Sequence, residues 1–147
     1  MVAKVIDGHA VAWQVREACR LQTQALAARG VTPGLAVIIV GDDPASRVYV
    51  ANKVKACNEV GLTSTVYAFA ADTPDAQVEA EILRLNADPR VHGILVQLPL
   101  PKHFDGKRVL SAIASDKDVD GFHLYNVGSL VQGETLFPPC TPFGVQK

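Results

Sequence analysis

Several things this chain lacks narrow its chemistry before any motif is read. It has no excess of positive charge, 14 Lys and Arg standing against 15 Asp and Glu for a net of −1. That balance leaves no electrostatic footprint for nucleic acid or for an anionic membrane surface. No apolar run approaches the roughly 20 residues that span a bilayer. The opening MVAKVIDGHAVAWQV holds neither a continuous apolar core nor the small-residue cleavage pattern of an export signal. The expected location is therefore the cytoplasm. Cysteine is scarce and odd in number: Cys19, Cys57 and Cys140 are far apart, build no disulfide framework or zinc-ligand pair, and are expected as buried free thiols. His9, His92, His103 and His123 show no ligand spacing, so no metal is expected. Also missing are GxGxxG, GxxxxGK[ST] and GxSxG, and with them any recognisable dinucleotide loop, triphosphate loop or nucleophile elbow.

What is present suits one globular domain. In 147 residues, 48% are hydrophobic and 20% charged, enough to bury a proper core. After an apolar start at 2–6, Asp7-Gly8 opens a helix to about Arg29, whose period runs through Ala12, Val15, Ala18/Cys19, Gln22, Ala25/Leu26 and Arg29, with Trp13 as a packing anchor. Apolar runs at 35–40 and 93–98 and the alternating stretch 63–69 read as strands. Between and after them come helices over 44–60, from Thr73-Pro74 to about 86–89, over 105–114 and over 123–131. Gly61 is placed to end the first of these as a left-handed cap. Strands alternating with helices imply a three-layer α/β/α fold with a mainly parallel sheet. The last residues, 140–147, read as the opening of another helix, with Thr141 as cap and Pro142 at its first position. So short a helix has little reason to form alone, and the chain is expected to be part of a longer protein.

Three stretches carry candidate chemistry. Asp43-Pro44 reads as an N-cap followed by proline at the first helical position, and Ser46, Tyr49 and Lys53 then share one helix face. That row is either a reactive surface or a core tyrosine beside a solvated lysine, and Lys53 is also a candidate Schiff-base amine. Gln97 ends an apolar strand ahead of the stiff Pro99-Leu100-Pro101, where open α/β sheets border their ligands. It is either a site residue or an amide holding the loop. Asp116, Asp118, Asp120 and Gly121 imitate the first half of a calcium loop. Position twelve would be Val127, where calcium needs a bidentate carboxylate, so that reading fails. What remains is an acidic turn with Gly121 at positive φ, or one aspartate aimed into a cleft.

Taken together, VGDDPASRVYVANKVKACNEVGL, HGILVQLPLP, DKDVDGFHLYNVGSL and PPCTPFG resemble the bifunctional methylenetetrahydrofolate dehydrogenase/cyclohydrolases, in that family's order and across essentially the whole chain. The resemblance implies a folate-binding catalytic domain normally followed by a Rossmann domain that binds NADP, a domain this chain does not contain. It implies tetrahydrofolate derivatives as substrates, oxidation of the 5,10-methylene to the 5,10-methenyl form, hydrolysis to 10-formyltetrahydrofolate, and a homodimer formed through the cofactor domain. By the same resemblance Lys53 is the essential amine, Gln97 its hydrogen-bonding partner and Asp120 the carboxylate gripping the pterin. Tyr49 stacks on the aminobenzoyl group and Ser46 supports the loop or the ligand. Val50, Ala51, Asn52, Val96 and Leu98 complete the expected substrate contacts. A non-catalytic folate-binding fragment is the alternative from another class.

The geometry required is demanding. With Pro44 first in its helix, Lys53 lies about 13 Å along the axis. A helix running straight back over its own strand would carry the amine away from Gln97. The assignment therefore predicts a helix that starts beyond the sheet edge or crosses it.

Overall fold

The computed structural model describes residues 5–147, so the apolar start at 2–6 lies largely outside the described residues. The elements follow in the order α1 (Gly8–Ala27), β1 (Gly34–Val40), α2 (Pro44–Val60), β2 (Thr63–Phe69), α3 (Asp75–Ala87), β3 (Gly93–Val96), α4 (Gly106–Ser111), α5 (Leu124–Gln132) and α6 (Cys140–Gln146). The three strands form a parallel sheet of order β2-β1-β3, with Val37 of β1 opposite Val66 on one side and Leu95 on the other.

The pleat of β1 sorts the core into two layers. Ala36, Ile38 and Val40 point to one face and pack with Val78, Ile82 and Leu85 of α3 and with Val109 of α4. Val37 and Ile39 point to the other and meet Val50 and Val54 of α2 and Leu95 of β3. A strand buried on both faces has to be apolar at every position, which is why 35–40 reads as an unbroken run. Helices on both faces of a parallel sheet make the three layers expected. No helix among the described residues is long and apolar enough to cross a membrane.

Five local expectations need correcting. The buried contact of α1 is Thr23, whose hydroxyl donates to the Val60 carbonyl at the end of α2; of the expected stripe only Cys19 and Leu26 are half-buried, and Ala12, Val15, Ala18, Gln22, Ala25 and Arg29 are exposed. Trp13, 67% exposed, is no packing anchor. The helix packs mainly on the C-terminal end of α2, through Thr23 on Val60 and Arg16 on Glu59. The strand at 93–98 stops at Val96, because the Leu98 carbonyl is taken by side chains and the next residue is proline. In α6 the cap position falls on Pro139, with Thr141 already helical, and Cys140 is exposed rather than a buried thiol; Cys19 and Cys57 are half-buried.

The acidic segment 116–121 is held against the sheet from several sides. Ile94 N–H donates to the Lys117 carbonyl at 2.7 Å, in effect adding the segment beside β3. The approach is close: a Cβ on Gly93 would stand 2.5 Å from Val119 Cγ1. Lys117 Nζ donates to the carbonyls of Leu85, Asn86 and Asp88 at 3.2, 2.7 and 2.9 Å. They lie at the end of α3, where the Leu85 and Asp88 carbonyls also accept the N–H groups of Asp88 and Val91. Lys117→Met should therefore lower the unfolding free energy by about 2 kcal/mol, read as a lower urea midpoint at unchanged slope. An unchanged midpoint would show the amine to be idle there.

Candidate functional site

The turn from β1 into α2 is set by its own residues. Asp43 caps α2, its Oδ1 accepting from Ser46 N–H at 2.7 Å, and that bond holds its carboxyl below the usual range. The helix stops at Gly61, left-handed at φ 84°. Between these limits α2 does not run away from β3. Ser46, buried near its N-terminus, donates to the Leu98 carbonyl at 3.4 Å, and two turns later Lys53 Nζ donates to Gln97 Oε1 at 3.2 Å. Both ends of this stretch meet the same two residues past β3. The helix crosses the end of the strand, and the flexible stem of the lysine covers the remaining distance.

Gln97 is the amide that holds the loop, and it also meets Lys53. Its Nε2 donates to the Leu98 carbonyl at 2.7 Å and holds the loop, while its Oε1 receives Lys53. Its backbone N–H still reaches the Ile38 carbonyl of β1 at 2.8 Å, so the amide is referenced to the sheet although it stands beyond the strand. A cis peptide joins Leu98 to Pro99.

Asp120 comes to the same place from the other side. Its carboxyl is half-buried, and burial pushes its pKa up; the Lys53 charge pulls it down, Asp118 pushes it up further, and the Cys140 thiol beside it pulls it down. Cys140 donates to the Val119 carbonyl at 3.1 Å. The turn beyond Asp120 needs glycine on two counts. Gly121 has φ 69°, and a Cβ there would stand 2.7 Å from the Phe137 carbonyl oxygen. The acidic segment is a packed turn with Gly121 at positive φ, as one reading had it, and Asp120 is its half-buried aspartate within reach of the Lys53 charge.

The other candidates are placed less uniformly. Tyr49, one turn before Lys53 on α2, is 62% exposed, so the core-tyrosine reading is wrong and an aromatic face lies open. Leu98 and Asn52 are exposed. Val50 and Val96 are buried in the core layers on opposite faces of the sheet. Val50 and Ala51 also line an apolar groove of about 750 Å³ between α2 and β2, with Ile39, Val54, Val66 and Ala68. That groove includes none of Lys53, Gln97 and Asp120.

Two contributors escaped the sequence reading. Asp118 is 2% exposed and Asn126 fully buried, bonded to each other behind Asp120. Local pattern held no signal for them, since strict alternation would put Asp116, Asp118 and Asp120 on one face, whereas Asp116 is exposed and Asp118 buried. Cys140 was read only as a free thiol, since nothing in its own neighbourhood ties it to residue 120.

The residues described do not fit the NADP that the resemblance attaches to a further domain. A dinucleotide diphosphate needs a glycine-lined turn with free N–H groups at a helix start. Here the turn after β1 offers Asp42, paired with Arg47, and Asp43, already capping α2, followed by proline. The turns after β2 and β3 bring Asp72-Thr73-Pro74 and Pro99-Leu100-Pro101.

The fold defines a class, an α/β domain with a parallel sheet, and an amine, an amide and a half-buried carboxylate stand near its strand ends as a candidate polar site. The comparisons give the family. The tetrahydrofolate dehydrogenase/cyclohydrolase catalytic domain matches residues 6–120, and the chain belongs to that family. It is 57% identical over all 147 residues to the bifunctional protein FolD of Nitrosospira multiformis, covering 51% of it. Among solved structures, the Campylobacter jejuni FolD methylenetetrahydrofolate dehydrogenase/cyclohydrolase superposes with a TM-score of 0.93 at 48% identity, over 95% of this chain and 50% of that one. The Trypanosoma brucei dehydrogenase-cyclohydrolase, complexed with NADP cofactor and inhibitor, gives 0.94 at 37%, over 98% of this chain and 50% of that one. The chain spans about half the length of the curated relatives it matches.

The raised pKa of Asp120 has a consequence for stability. Folding strengthens this carboxyl's hold on its proton, so ionising it takes stability away as pH rises from about 4, its unfolded value. Asp120→Asn should accordingly melt above the unsubstituted chain at pH 7, with the gap closing as pH falls below about 4. A gap of the opposite sign at pH 7 would show that Lys53 outweighs burial.

Proposed function

We propose that this chain supplies the folate-binding catalytic half of a cytoplasmic methylenetetrahydrofolate dehydrogenase/cyclohydrolase, with NADP held by a further domain and the whole protein a homodimer. The observation that carries the reading is the hydrogen bond between Lys53 Nζ and Gln97 Oε1 just past β3, with half-buried Asp120 on the segment that pairs beside the same strand. Family membership over residues 6–120 supports it.

Each role follows from ordinary chemistry. A pterin edge offers an amino group and a ring N–H, which an ionised Asp120 accepts in short, charge-assisted bonds that fix its orientation. The open ring of Tyr49 is a stacking face for the aminobenzoyl group. In the hydrolytic step a water oxygen bonds to the methenyl carbon of the cation. The bond from that carbon to N5 then breaks, leaving 10-formyltetrahydrofolate and releasing one proton. A neutral Lys53 amine held by Gln97 takes that proton as general base. A protonated amine about 4 Å from the cation would instead oppose its formation by roughly 4 kcal/mol at an effective dielectric near 20, about a thousandfold in rate. No part of the oxidation is assigned to these residues beyond holding the folate, since they do not fit the hydride acceptor.

The test uses the 147-residue chain. Titrated with 5-formyltetrahydrofolate, it should bind, and Asp120→Ala should weaken binding at least tenfold, as expected for loss of a charged hydrogen bond of about 1.5–3 kcal/mol. With methenyltetrahydrofolate, the chain should hasten loss of the substrate's absorbance. Lys53→Met should return that rate to background while changing affinity less than about tenfold, since the amine acts on the water rather than on the pterin. Binding without any Lys53-dependent hydrolysis would favour the non-catalytic alternative, and no binding would overturn the reading.

A further inference from the structure

Asp118 is a buried carboxylate with no ion-pair partner among the described residues. Charges are rarely held this way unless hydrogen bonds compensate. Here one oxygen, Oδ2, does all of the recorded work. It accepts from the His123 backbone N–H at 2.8 Å and from Asn126 Nδ2 at 2.9 Å, both in the first turn region of α5. Asn126 Nδ2 donates as well to the Ser115 carbonyl at 2.9 Å, so the amide bridges the segment on both sides of Lys117. Its own Oδ1 is buried without a partner. The reversed amide would turn that oxygen toward two other oxygens, so the orientation is forced, and the orphan acceptor is a cost the arrangement carries.

The bonds of this pair bracket Asp120. Upstream, Asp118 is clamped to α5 while Ile94 pairs with the Lys117 carbonyl. Downstream, Gly121 N–H closes a turn onto the Asp118 carbonyl at 3.3 Å and is packed against 137–139. Asp120 is thus the half-buried residue between two fixed points. We infer that Asp118, bonded to Asn126 and the His123 N–H, is a positioning residue that acts on folate through Asp120. The inference rests on the folate reading given above.

Two substitutions separate anchoring from charge. In Asp118→Asn the amide oxygen takes the place of Oδ2 and keeps both bonds; in Asp118→Ala both are lost. The experiment measures 5-formyltetrahydrofolate affinity of the 147-residue chain by calorimetry, for Asp118→Ala, Asp118→Asn, Asp120→Asn and the double variant Asp118→Ala/Asp120→Asn. Asp118→Ala is expected to bind about tenfold more weakly and Asp118→Asn within about threefold of the unsubstituted chain. In the Asp120→Asn background, Asp118→Ala should cost less than about twofold, because its effect passes through residue 120. A general loss of structure would weaken both backgrounds equally, and that result overturns the inference. So does normal binding by Asp118→Ala, or Asp118→Asn as weak as Asp118→Ala. If Asp118→Ala gives no folded chain by circular dichroism, Asn126→Ser, which leaves the carboxylate and the His123 bond in place, carries the same comparison. An unsubstituted chain that fails to bind overturns the folate reading and the inference together, whereas binding unaffected by Asp118→Ala overturns the inference alone.

Discussion

The rest of the site depends on a single reach: an amine ten residues into α2 has to arrive at an amide just past the end of β3. Helix and strand belong to different βαβ halves, and nothing local fixes their distance. It is fixed by the second core layer, where Val50 and Val54 of α2 sit on Val37, Ile39 and Leu95. The serine near the helix start then bonds the residue after the amide. Core packing sets the angle of the helix, and two polar contacts to residues 97 and 98 set its register against the loop. Moving α2 by one turn would break both.

A second constraint delivers the carboxylate. The segment 116–121 has little regular structure of its own, and a loop of that kind carries a functional group with accuracy only if its backbone is tied elsewhere. It is tied by a lysine amine in the end of α3, by a strand-like bond to Ile94, by the buried Asp118–Asn126 pair, and by the Cys140 thiol on Val119. Four of the elements therefore contribute to where one aspartate stands. The buried aspartate also acts on its neighbour electrostatically, adding to the burial that raises the Asp120 pKa.

Much of this could be read from the residues, for reasons that differ by element. The limits of α2 are written in local chemistry, Asp43-Pro44 at one end and Gly61 at the other, and they fall where expected. Strand β2 is likewise bounded by its own β-branched run. Where tertiary contacts decide, local pattern misleads. Most of the stripe expected for α1 is exposed, only Cys19 and Leu26 being half-buried, and its buried contact with α2 is a threonine hydroxyl. Strand β3 ends early because side chains from elsewhere claim the Leu98 carbonyl. The meeting of Lys53 with Gln97 was posed by the family resemblance as a geometric requirement, and the crossing of α2 over the strand end meets it. The inward role of Asp118 was hidden, since its partner Asn126 lies in the next helix and no spacing rule links the two.

The most direct measurement of the central claim is a crystal structure of the chain with a reduced-folate analogue bound. The account predicts density over the end of β3, with the pterin amino edge at hydrogen-bonding distance from Asp120 and the one-carbon position facing Lys53 and Gln97. Density lodged instead in the apolar groove between α2 and β2, with those three side chains untouched, would contradict it.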